Sequence, residues 1–185
     1  MKTFYFLAIV LFSNYSFSQI GYKHQYNESF TYEEAISNFK KLAKEYPEIA
    51  VIETDYKTDI GRPLHLVVYN NDKKFETDEI DRSKKTVLFI NNAIHPGESC
   101  GVDASVKLFE ELGRYHSLFP NVVVVCIPVY NIGGMLNRSK FNRSGQPGPI
   151  ECGFRGNYQN LDLNRDFIKM DALNSEGFVQ LFQRW

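Results

Sequence analysis

The sequence predicts an α/β fold, a mixed and largely parallel central sheet flanked by helices. Three observations carry this. "TVLFINNA" and "NVVVVCIPVYN" are continuous apolar runs bounded by polar residues, which suits strands buried on both faces. Between them, "GVDASVKLFEELGRY" places Val102, Val106, Leu108, Phe109 and Leu112 at helical spacing. Strand, helix, strand in this order is a crossover unit, and in such folds ligand sites gather beyond the C-terminal ends of the strands.

The remaining elements follow in chain order. Lys2 precedes the apolar run "FYFLAIVLF", which is too short to span a bilayer, and Ser16 and Ser18 then offer small residues to a signal peptidase. Residues 1–18 are therefore expected to be a signal peptide cut before Gln19, and the mature protein to be secreted or periplasmic. Residues 19–30 form a polar lead-in. In "TYEEAISNFKKLAKEYP", Thr31 and Glu34 make a capping box, and Ala35, Phe39 and Leu42 share one helical face; Pro47 ends the helix. Two strands, "AVIETDYKT" and "PLHLVVYN", flank a turn at Gly61, Arg62 and Pro63. "DKKFETDEIDRSKK" reads as a solvated loop. After Asn131 comes a long irregular stretch with Arg138, Arg143 and Arg155, of the kind that is functional in compact domains. "DALNSEGFVQLFQRW" closes with a helix whose apolar stripe is Phe178, Leu181 and Phe182. Residues 31–185 are expected to form one domain.

The 185 residues are 43% hydrophobic and 15% aromatic, enough for a true core. Twenty-one basic against 22 acidic residues leave a formal charge of -1, which gives no basis for nucleic acid or an anionic membrane as partner. No later segment is long and apolar enough to be a membrane span. Three cysteines allow at most one internal bridge, with Cys100 and Cys152 able to pair and Cys126 reading as a small core residue.

His95 and Glu98 stand three residues apart just past the "TVLFINNA" strand, in a turn built on Pro96 and Gly97. A tight turn lets an imidazole and a carboxylate converge on one point, and both are ordinary zinc ligands. A polar loop without function is the competing explanation. A second cluster, "NLDLNRDF", sets Asp162, Asn164 and Arg165 within four residues. Arginine's planar fork grips a carboxylate with two hydrogen bonds and an asparagine adds another. The structural alternative is an ion pair of Arg165 with Asp162, Asp166 or Asp171.

Together the two segments resemble the zinc carboxypeptidases, the metallopeptidase family that includes pancreatic carboxypeptidase A. "HPGE" is similar to the family's HxxE zinc motif, and "LDLNRDF" to its aspartate–x–asparagine–arginine motif. The resemblance implies that His95 and Glu98 bind Zn2+ and that Asp162 orients His95 from behind. It implies that Asn164 and Arg165 hold the C-terminal carboxylate of a peptide or protein substrate. An arginine of the preceding loop, Arg143 first and Arg138 second, would polarise the scissile carbonyl.

The family pattern also needs a third zinc ligand, a histidine, and a glutamate base further on. No histidine follows His116, and the later glutamates are Glu151 and Glu176 alone. The sequence is therefore expected to be the N-terminal portion of a longer domain, inactive by itself. Two rival functions remain: a zinc amidohydrolase acting on acylated amino acids, and a non-catalytic module that binds peptide C-termini.

Overall fold

The computed structural model describes residues 20–185, so the expected signal peptide lies outside the described residues. Helix α1 (Tyr32–Glu45) starts at Thr31, whose hydroxyl accepts the Glu34 amide while the Glu34 carboxylate accepts the Thr31 amide, so both halves of the capping box are made. Strands β1 (Ile49–Lys57) and β2 (Pro63–Asn70) follow as an antiparallel pair joined at Gly61, whose φ of +74° suits glycine. β3 (Thr86–Asn91), α2 (Cys100–Arg114) and β4 (Val122–Ile127) form the expected crossover, with β3 and β4 parallel. A short helix α3 (Ile132–Leu136) and the final helix α4 (Leu173–Arg184) complete the regular elements.

The strand order is β1-β2-β4-β3. The sheet is mixed, as expected, but its parallel pairing is confined to β3 and β4; β1–β2 and β2–β4 are antiparallel. A turn of a few residues returns β2 antiparallel to β1, and the α2 crossover sets β4 parallel to β3. The antiparallel β2–β4 pair joins strands with β3 and α2 between them in sequence, so no local connection dictates it.

Alternation along β2 and β4 feeds two cores. Val67, Tyr69, Val124 and Cys126 face α1 and α2, where they meet Ala35, Phe39, Val102, Val106 and Phe109. Phe39 and Phe109 pack edge to face at 5.5 Å, binding the two helices together. Leu66, Val68, Val123, Val125 and Ile127 face the other way, toward Tyr130, Leu163 and Leu181 of α4. Each such side chain contributes about 1.5–3 kcal/mol by leaving water. The Cys126 thiol is pushed up to about 12 by burial, which keeps it a neutral core group.

Three local expectations need correction. β4 is buried on both faces, but β3 lies at the sheet edge and leaves Leu88 49% exposed. Leu108 stands outside the apolar face of α2, because Val106 and Phe109 already occupy the turn that faces α1. The charged loop after β2 is not wholly solvated: Ile80 is buried in the α4-side core. Cys100, Cys126 and Cys152 are all free thiols. No helix among the described residues is long and apolar enough to cross a membrane.

Candidate metal and carboxylate site

Past the ends of β3 and β4 the two segments stay hydrogen-bonded but slip out of the register set by the Asn91–Ile127 pairing: Tyr130 donates to the Asn92 carbonyl and Asn131 to the Ala93 carbonyl. There the chain turns. Ala93 adopts φ +54°, a left-handed conformation that costs a non-glycine residue about 1 kcal/mol. The Glu98 amide then donates to the His95 carbonyl at 2.8 Å, closing a tight turn whose end side chains share one side. Gly97 is closely packed: a Cβ there would sit 3.1 Å from Cδ of Arg143 and 3.4 Å from the Gly153 carbonyl.

His95 is buried and Glu98 exposed. Nε2 of His95 lies 2.8 Å from Oδ1 of Asp162, and Nδ1 lies 3.4 Å from Oε1 of Glu98. The same Glu98 oxygen accepts from a terminal guanidinium nitrogen of Arg143 at 2.8 Å. That guanidinium, ahead of the weaker influence of His95, holds the Glu98 carboxyl below its usual range. Asp162 is more strongly shifted. Burial pushes its carboxyl up, but hydrogen bonds from His95, Arg155 and the Asn164 amide outweigh this and bring it down to about 2.

"NLDLNRDF" folds by alternation. Asp162 caps a single 3-10 turn, Leu163–Arg165, by accepting the Asn164 amide. Leu163 enters the core, Asn164 and Arg165 face solvent, and Asp166 turns back inward. Its two carboxylate oxygens accept the amides of Asp171 and Ala172 at 3.0 and 2.9 Å, tying the loop to the start of α4. Among the described residues no carboxylate lies within ion-pair distance of Arg165, so the structural alternative of a pair with Asp162, Asp166 or Asp171 is not formed. Its guanidinium donates to the Asn164 carbonyl at 3.0 Å.

The sequence-predicted residues thus divide. His95, Glu98, Asp162 and Arg143 form one connected cluster, with Asn164 and Arg165 following Asp162 directly. Arg138 takes a different part: its guanidinium donates to the carbonyls of Phe30, Ser29 and Glu151 and to the Ser29 hydroxyl, fixing the lead-in to the irregular loop. Arg155, which no motif singles out, donates through Nε and a terminal nitrogen to Oδ2 of Asp162 at 3.2 and 3.0 Å. Nothing in an irregular loop marks one arginine over another, since only the fold brings Arg155 opposite Asp162. A concavity of about 800 Å³ lies between the C-terminal ends of α1 and α2, lined by Leu42, Tyr46, Gly113 and Arg114, and includes none of these residues.

The donor set fits a metal ion in part. With Nε2 engaged by Asp162, Nδ1 is the nitrogen left to ligate. Its 3.4 Å gap to Glu98 is long for a hydrogen bond, yet matches the edge of a tetrahedron with about 2.1 Å metal–ligand bonds. No group of three or more His, Cys, Asp or Glu side chains among the described residues is arranged to hold a metal ion, so the pair supplies two ligands of a site that needs three.

The profile of the zinc carboxypeptidase family matches residues 35–180. Among solved structures, the carboxypeptidase A of Helicoverpa armigera is similar at 23% identity and a TM-score of 0.55, over 77% of this chain and 34% of that one. A metallo-carboxypeptidase from Burkholderia cenocepacia gives 20% and 0.56, over 77% and 34%. A metallo-carboxypeptidase from Pseudomonas aeruginosa, in complex with (2-guanidinoethylmercapto)succinic acid, gives 18% and 0.58, over 84% and 37%. This chain spans about a third of the length of each. No curated protein sequence matches it. The structures establish likeness of fold, and the profile, which covers well over half of the chain, establishes kinship: the chain belongs to the zinc carboxypeptidase family.

Proposed function

We propose that these residues are the N-terminal part of a zinc-dependent carboxypeptidase site acting on peptide or protein C-termini. His95 through Nδ1 and Glu98 through its carboxylate hold zinc. Asp162 orients His95, and Asn164 and Arg165 receive the terminal carboxylate. The observation that carries the reading is the two-sided hold on His95, with Nε2 on Asp162 and Nδ1 turned to Glu98. The lack of an acidic partner for Arg165 among the described residues supports it.

Bound zinc supplies a Lewis acid and lowers the pKa of a bound water. The chain's own residues do the rest. Asp162 keeps the Nε2 proton on His95, so that Nδ1 presents a lone pair. Arg143, beside Glu98, brings a fixed positive charge to the oxygen that becomes negative when the scissile carbonyl is attacked. Arg165 and Asn164 fix the end of the peptide, which decides the bond presented.

In this reading the third protein ligand and the general base are not among the 185 residues, and the chain alone hydrolyses no peptide. Export through residues 1–18 belongs to the same proposal and is checked by N-terminal sequencing of the mature protein. The pairing of Arg165, without an acidic partner among the described residues, with a two-ligand metal site favours a second reading for these residues alone, binding of peptide C-termini without cleavage. Calorimetric zinc titration of the wild type, His95→Ala and Glu98→Ala tests the first reading. It expects one zinc per chain, lost in either variant; zinc binding that survives both substitutions would overturn it.

A further inference from the structure

Asn131 lies immediately before α3, fully buried, and none of its polar side-chain atoms is idle. Its Oδ1 accepts the Gly134 amide at 2.8 Å, while Nδ2 donates to the carbonyls of Arg155 at 3.1 Å and Ile94 at 3.4 Å. The Asn131 backbone amide donates to Ala93. One side chain therefore joins the turn before His95, the start of α3 and the loop that carries Arg155. Gly134 makes room for it, since a Cβ there would meet Nδ2 at 2.6 Å.

These bonds close a ring with the site. From Asn131 one path runs through the Ile94 carbonyl to His95. The other runs through the Arg155 carbonyl, along the Arg155 side chain to Asp162 Oδ2, and from Asp162 Oδ1 to Nε2 of His95. His95 is thus fixed at its backbone by one arm and at its ring by the other, and Asn131 sets the spacing between them. We propose that Asn131 is a positioning residue of the metal site, holding His95 with Nε2 protonated toward Asp162 and Nδ1 free; the metal half of this rests on the function proposed above.

Asn131→Asp keeps the acceptor for Gly134 but sets an oxygen against two carbonyl oxygens; Asn131→Ser retains an acceptor and loses the reach. Both are compared with the wild type and with Phe39→Leu, a control that weakens the α1–α2 core away from the site. Two readouts apply: the His95 ring tautomer by long-range 15N–1H spectra, and the zinc dissociation constant by competition with a chromophoric chelator. In the Asn131 variants His95 is expected to leave its single Nε2–H form and zinc affinity to fall about tenfold, while Phe39→Leu changes neither. A lowered melting temperature with the wild-type tautomer and affinity would overturn the proposal. So would failure of both Asn131 variants to fold, which would make the residue part of the fold rather than of the site. A wild type that holds the Nε2–H form, loses it in the variants and binds no zinc would sink the metal reading and leave the positioning role standing.

Discussion

Asp162 holds His95 by Nε2 at 2.8 Å and so decides which ring nitrogen faces Glu98. The carboxylate that does this is itself gripped by Arg155 and by the Asn164 amide. Asp162→Asn leaves an amide that can accept from Nε2–H but carries no charge to strengthen the bond. Zinc affinity is expected to fall between about 10- and 100-fold, measured by chelator competition.

Arg143 stands beside Glu98 as its counter-charge, 2.8 Å from Oε1. Arg143→Gln removes the largest influence depressing the Glu98 carboxyl, so its pKa should rise toward the ordinary glutamate value. Carboxyl 13C shifts followed from pH 7 to pH 2 give the result. A Glu98 midpoint unchanged in the variant would mean that the pair at 2.8 Å does not persist in solution.

Arg165 is an exposed guanidinium without an acidic partner among the described residues, and it stands beside Asn164 and Asp162. A charge-assisted bond to a terminal carboxylate is worth roughly 1.5–3 kcal/mol. Arg165→Ala should therefore weaken binding of a short peptide by about tenfold or more, and leave the C-terminally amidated peptide as weak as before. Equal losses for both peptides would remove Arg165 from the carboxylate site.

Away from the site, His65 supplies a pH dependence. Its side chain is packed under α1, with Tyr32 Oη 3.4 Å from Nδ1, Glu53 3.7 Å from Nε2, and Lys40 nearby on the same helix. Burial lowers its pKa despite Glu53, and Lys40 acts in the same direction as burial. The unfolded chain then takes up the proton first, at about 6.5. The contribution of neutral His65 is complete above that pH and is lost as pH falls toward the lower folded value. Melting temperatures from pH 7.5 to 5 should drop less steeply for His65→Phe than for the wild type.

Much of this arrangement was legible in the sequence because it depends on local pattern. Thr31 with Glu34 announces α1 by capping chemistry, and the Val-rich run of β4 reads as a buried strand. His95 and Glu98 could be found because a turn makes neighbours of residues three apart. Asp162, Asn164 and Arg165 came to notice through their motif. What stayed hidden depends on contacts between distant segments. The pairing of β2 with β4, 50-odd residues apart, makes the sheet mostly antiparallel, and no periodicity encodes it. Arg138 and Arg143 lie five residues apart in one irregular loop, yet one braces Ser29 and Phe30 while the other reaches Glu98. Asn131 reads as a polar residue after a strand until the loop containing Arg155 folds over it.

The proposed site stands or falls on zinc reaching Nδ1 of His95 together with Glu98. The most direct measurement follows the ring 15N resonances of His95 as zinc is added to the 15N-histidine-labelled chain, with Glu98→Ala in parallel. The Nδ1 resonance should move while the Nε2 proton bonded to Asp162 stays in place, and Glu98→Ala should abolish the shift. A zinc-induced change at Nε2, or a His95 resonance indifferent to zinc at millimolar excess, would contradict the proposed site.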